Sequence, residues 1–129
     1  MEKEKTNMKQ GKIEGFEDLV VWQLAIDLAV AIYQVFQACR DFALKNQIQR
    51  AAISISSNIA EGYERGSNKE FIQFLYYAKG SCGEVRSQTE LALRVNLLSP
   101  AQTEPILASA RLLSGKLGAY IKVRETKFS

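Results

Sequence analysis

Apolar residues recur at spacings of three and four along four successive stretches of this 129-residue chain, and only two prolines interrupt them. That period places side chains on one face of a helix, not on one face of a strand. Trp22, Ile26, Ala29, Tyr33 and Phe36 step by four, three, four and three, which predicts a helix over about residues 18–38 with that stripe inward. A break at residues 39–42 follows. Ile48, Ala52, Ile55 and Ile59 predict a second helix over about residues 43–61, with Gly62 as its C-cap.

Ser67-Asn68-Lys69-Glu70 has the spacing of a capping box and predicts the start of a third helix. Its stripe is Phe71, Leu75, Ala78, Cys82, Val85, Thr89 and Leu93, reaching about residue 97. Ser99-Pro100 suits the N-cap and first position of a fourth helix, whose stripe is Ile106, Leu107, Ala110, Leu113, Leu117 and Tyr120 or Ile121. Pro105 is awkward there and is expected to delay the regular turns. No strand pattern competes. Short links favour antiparallel neighbours, so the expected fold is all-α, an antiparallel up-down-up-down four-helix bundle. Residues 1–15 read as a disordered polar tail, 16–122 as the bundle and 123–129 as a basic C-terminal tail.

Composition narrows the chemistry. A hydrophobic fraction of 47% supports one core at this length. No apolar run approaches the roughly 20 residues of a membrane-spanning helix, and the N-terminus lacks a secretory h-region, so no membrane partner and a cytoplasmic location are expected. Cys39 and Cys82 form no CxxC pair and read as free thiols. Histidine is absent, which removes the commonest general base and the commonest metal ligand.

The stretch SISSNIAEGYER, residues 54–65, is the most unusual. On a helical wheel Ser54, Ser57, Asn58 and Glu61 share one sector beside the isoleucine stripe. Catalysis by Ser54 or Ser57 with Glu61 lacks a base and an oxyanion site. A metal site from Glu61, Glu84 and Glu90 lacks the histidines such bundles use. No catalytic residue, metal or cofactor is therefore expected. Close helix packing is the better reading, with Ser54, Asn58 and Glu61 at a helix-packing or subunit contact. Tyr76, Gly80, Gly83, Ser87 and Leu91 form a second such face, opposite the core stripe of the third helix. Each mid-helix glycine costs about 1 kcal/mol against alanine, so a neighbouring backbone is expected there, and a homo-oligomer with it. If the second and third helices form a hairpin with facing numbers summing to about 130, Arg50 and Glu84 approach one another.

From Arg111 onward five cations stand against Glu125 alone. Lys116, Lys122, Arg124 and Lys127 are the candidates for nucleic-acid contact. A protein adaptor anchored by Tyr63, Tyr76 or Tyr77 is the alternative.

FEDLVVWQLAIDLA and QIQRAAISISSNIAEGYERGSNKEFIQFLYYAKGSCGEVRSQTELA resemble a small bacterial four-helix-bundle family. Its members include proteins encoded in intervening sequences of large-subunit ribosomal RNA genes. The likeness spans about residues 16–122 and is most specific in SIxxNIAEG, Ser54 to Gly62, and AxGSxxE, Ala78 to Glu84; Cys82, Gly83 and the LKNQIQ opening of the second helix depart from it. The resemblance implies a ring-shaped homopentamer, no established enzymatic activity, and a link to RNA through gene location. More distant bundles that assist diversity-generating retroelements are basic pentamers that contact a reverse transcriptase and nucleic acid; that role is fold-level analogy.

Overall fold

The computed structural model describes residues 11–127, which leaves most of the expected N-terminal tail, and Phe128 and Ser129, outside the described residues. A single 3-10 turn, Phe16–Asp18, leads into four helices: α1 (Val20–Val35), α2 (Phe42–Glu64), α3 (Asn68–Arg94) and α4 (Pro100–Lys127). Each helix packs along two neighbours, in the cycle α1–α2–α3–α4–α1, and the diagonal pairs stay more than 8 Å apart between Cα atoms. This is the up-down-up-down bundle.

Local chemistry sets the ends. Asp41 caps α2 by accepting from Leu44 N at 3.1 Å. Ser67 caps α3, accepting from Glu70 N at 3.2 Å, while its hydroxyl donates to Glu70 Oε1 at 3.0 Å. Ser99 and Gln102 close a reciprocal box on α4: Ser99 Oγ accepts from Gln102 N at 3.2 Å, and Gln102 Oε1 accepts from Ser99 N at 2.9 Å. α3 ends in a Schellman motif, with Asn96 at φ 63°, Leu97 N bonded to Ala92 O and Asn96 N bonded to Leu93 O.

Several expectations need correction. Gly62 is not the cap of α2. The helix runs on to Glu64, and Gly66, at φ +88°, makes the turn. Gly62 is instead a close approach: a Cβ there would lie 2.5 Å from Phe74 Cβ and 3.1 Å from Phe71 Cδ1. Pro105 does not delay α4, because the box at Ser99 fixes the first turn and both Pro105 and Ala101, whose carbonyl loses a donor, are exposed to water. Residues 123–127, expected within a tail, complete α4. α3 stops at Arg94, and Ala92, not Leu93, is buried near its end.

The stripe of α1 is also rotated from the expected one by about 100°. Its buried residues are Val21, Ala25, Leu28 and Ile32, continued by Phe36. Trp22, Ile26 and Ala29 are half-buried, and Tyr33 is 46% exposed. Apolar residues cover most of this helix, so they do not fix its phase. Gln23, Asp27 and Gln34 do: they share one side, and the core lies opposite. The other three stripes are inward as expected, meeting in one core that includes Ile55, Ile59, Leu75, Val85, Leu113 and Leu117.

Candidate functional site

The SISSNIAEG stretch lies on α2, and its polar side chains are absorbed in packing. Ser54 Oγ meets Ser81 Oγ of α3 at 2.8 Å, a hydroxyl contact between helix backbones. Asn58 Nδ2 donates back to Ser54 O at 2.8 Å and to Ser54 Oγ at 2.9 Å. Ser56 is buried and donates to Ile53 O at 3.2 Å, while Ser57 is exposed. Eight residues after Ser54, Gly62 lets Phe74 and Phe71 close on α2. The pairs Ser54 with Ser81 and Gly62 with Phe74 set the hairpin register, with facing numbers summing to about 135. The Ser54 hydroxyl has serine and asparagine neighbours, neither able to take its proton, so the arrangement packs helices and does not activate a nucleophile.

Glu61 faces outward instead. It accepts from Arg65 Nη2 at 3.0 Å, and Arg65 Nη1 also reaches Glu70 at 3.2 Å while its guanidinium lies 4.9 Å from the Phe74 ring centroid. The hydrogen bond that Arg65 donates to Glu61 raises the Arg65 pKa. Glu90 turns to Arg94 at 3.0 Å, so Glu61, Glu84 and Glu90 do not converge on a metal, and no metal-binding group of three occurs among the described residues. Arg50 and Glu84 line one polar cleft of about 210 Å³ with Gln47, Ala51, Ser54 and Gln88. They form no ion pair among the described residues, and Gln88 Oε1 is buried in that interface without a hydrogen-bond partner.

The four C-terminal cations do not share a face. Lys116 borders an apolar groove at the start of α1, with Asp18, Val20 and Tyr120. Lys122 lies on the opposite flank, beside Tyr76, Lys79 and Glu125. Arg124 is half-buried between the end of α4 and the start of α3. Its Nε donates to Asn68 Oδ1 at 2.8 Å, its carbonyl accepts from Asn68 Nδ2 at 3.1 Å, and its guanidinium lies 5.1 Å from the Phe71 ring centroid. Burial raises the Tyr120 pKa, against the opposing effect of Arg124 beside it. Arg124 therefore locks α4 onto α3. Lys127 is exposed in the last turn.

The outer face of α3 is open. Tyr76 is 51% and Leu91 50% exposed, Ser87 is exposed, and a Cβ at Gly80 or Gly83 would meet nothing within 4 Å. The Tyr76 hydroxyl donates to Glu125 Oε2 at 3.3 Å, and that carboxylate's charge raises its pKa. Among the described residues, then, no backbone occupies the space that these glycines leave.

Two surfaces were missed from the sequence. α4 carries a second stripe, Ala101, Pro105, Ala108, Leu112, Gly115 and Ala119, stepping by four, three, four, three and four, and every member is exposed. The same spacing rule that marked its core marks this face. Lys79, Arg86 and Arg111 flank the α3–α4 junction, and only the register of the two helices relates them.

The family model described as 23S rRNA-intervening sequence protein matches residues 17–119. A solved structure of a protein of unknown function, from the S23 ribosomal protein family of Bacteroides thetaiotaomicron, is similar at a TM-score of 0.75 and 28% identity, covering 80% of this chain and 99% of the other. No curated protein matches the chain. No helix among the described residues is long and apolar enough to cross a membrane.

Proposed function

The chain belongs to the 23S rRNA-intervening sequence protein family, and we propose that it acts there as a non-enzymatic bundle that self-associates through outward helix faces and binds RNA electrostatically with low sequence specificity. The outer face of α3 is the observation that carries the reading. Gly80 and Gly83 sacrifice about 1 kcal/mol each of helix propensity, and nothing among the described residues uses the space gained. A second subunit's helix would use it. α1 supports the same reading: 13 of its 16 residues are apolar, Val30 is 50% exposed, and a helix apolar nearly all round is normally covered. A closed ring satisfies such faces without open ends, and the sequence resemblance implies five subunits.

Lys116, Lys122 and Lys127 are exposed and outside the ion pairs formed among the described residues, so they are available to phosphate, and a ring repeats them on every subunit. A protein adaptor is the second reading, favoured by the exposure of Tyr76 and Tyr77 at 51% and 49%. Size exclusion with in-line light scattering, run at low and moderate salt with structured RNA, separates them. A multimer that carries RNA only at low salt is the expected result. A multimer indifferent to RNA favours the adaptor, and a single chain overturns self-association.

A further inference from the structure

The junction of α3 and α4 runs as a shallow furrow along the outside of the bundle. Its register is fixed at two points. Cys82 Sγ donates to Ala110 O at 3.1 Å, and the Gly118 Cβ position lies 3.5 Å from Lys79 Cε. Seven residues along each helix from Lys79 and Gly118, the same register sets Arg86 opposite Arg111. Arg86, seven residues from Lys79, falls on the same side of α3 by helix spacing. Lys122 joins Lys79 at one end, in a cavity of about 320 Å³ that also has Tyr76, Gly118, Ile121 and Glu125 in its wall.

Four cations thus line about 16 Å of furrow, the eleven residue steps of α4 from Arg111 to Lys122 at 1.5 Å rise per residue. All four are exposed, and none forms an ion pair among the described residues. Of the acids nearby, Glu125 stands in that cavity wall and accepts from Tyr76, and Glu90 is paired with Arg94. The floor is backbone. An added Cβ at Gly115 meets nothing within 4 Å, and one at Gly118 meets only the flexible end of Lys79. Gly115 and Gly118 pack against no backbone among the described residues, and they let a ligand approach the α4 backbone between the cations.

Resting on the nucleic-acid reading above, we propose that this furrow holds the phosphodiester backbone of a single strand, with Lys79, Arg86, Arg111 and Lys122 pairing its phosphates. Tyr76 presents a half-exposed ring at one end, on which a base can stack. A second copy of this chain is a poor occupant, because it would bury four like charges without partners. On the helical wheel Gly80, Ser87 and Leu91 turn away from the furrow, so the subunit face and the strand are side by side on α3.

The test measures anisotropy of labelled oligouridylate and oligothymidylate against salt, for the intact chain and three variants. The first replaces all four cations by glutamine (K79Q, R86Q, R111Q, K122Q). Removing like charges that face one another leaves the fold intact, as a melting curve will verify. The second is Gly115→Leu, a helix-favouring change that fills the floor and keeps the charge. The third, Arg40→Gln with Arg50→Gln, removes exposed cations away from the furrow. Wild-type affinity should fall about 50-fold between 50 and 200 mM salt, the dependence of four contacts on a single strand. The first variant should lose that dependence, the second should bind at least tenfold more weakly, and the third should match wild type. Phosphate reading makes no use of the 2′-hydroxyl, so the two oligomers should agree within about threefold; a tenfold preference for either overturns it. Wild-type binding that survives the first two variants but fails in the third overturns the furrow and leaves nucleic-acid binding standing. Failure of the wild type to bind either strand removes both.

Discussion

Gly62 on α2 and Gly83 on α3 are both helical glycines, yet a methyl group added to the first meets Phe74 at 2.5 Å and one added to the second meets nothing within 4 Å. The two positions separate two regions of the bundle. Along α2 and α3, small residues are consumed inside the chain: Ser54 on Ser81, Asn58 on Ser54, Gly62 beneath two phenylalanines. Along the outside of α3 and α4, small residues open space that no described residue fills. Composition alone does not distinguish these cases. The register of the neighbouring helix does.

Substitution at Gly62 should break the closed region most severely. Gly62→Ala is expected to lower stability by about 2 kcal/mol in chemical denaturation, because overpacking outweighs alanine's helix preference. A neutral or stabilising result would mean that Phe74 gives way freely and the approach is loose. Ser81→Ala should cost about 1 kcal/mol by removing the hydroxyl contact to Ser54; no loss would reduce that contact to coincidence. On the open side the sign reverses. Gly83→Ala should raise the stability of the single chain by roughly 0.5–1 kcal/mol, measured at a concentration where assembly is absent. Destabilisation there would place a neighbour where none is seen.

The smallest effect sharpens the α3–α4 contact. Burial raises the Cys82 thiol pKa, with Arg86 and Lys79 only partly opposing it. The folded state therefore keeps this proton longer than the unfolded state. The associated stability is intact below the unfolded thiol's pKa of about 8.5 and declines as pH rises through the folded value. Cys82→Ala should flatten that alkaline decline in a series of melting curves. An unchanged decline would assign it to other groups, such as Tyr120, whose pKa burial also raises.

Much of the fold was legible in the sequence because three helices alternate clear apolar and polar faces and carry written caps at Ser67 and Ser99. α1 was legible as a helix but not in its phase, since three polar residues among sixteen decide it. Gly62 was misread because a glycine near a helix end suits a cap as well as a close approach, and only Phe74 tells them apart. The candidate cations on α4 were legible as charge but not as geometry. Arg124 is engaged with Asn68, 56 positions earlier in the chain, and Lys116 and Lys122 fall on different flanks. The furrow depends on a register between α3 and α4 that no local pattern contains.

The central claim is that the outer face of α3 is built for another copy of the chain. The most direct measurement is the solution mass, by light scattering, of the wild type and of Gly80→Glu. Glutamate favours the helix, so the single chain should remain folded, while its side chain and charge obstruct the open face. The account predicts a wild-type mass several times 14.5 kDa and a Gly80→Glu mass near one chain. A wild type of one chain, or a Gly80→Glu protein that keeps the full assembly, would contradict it.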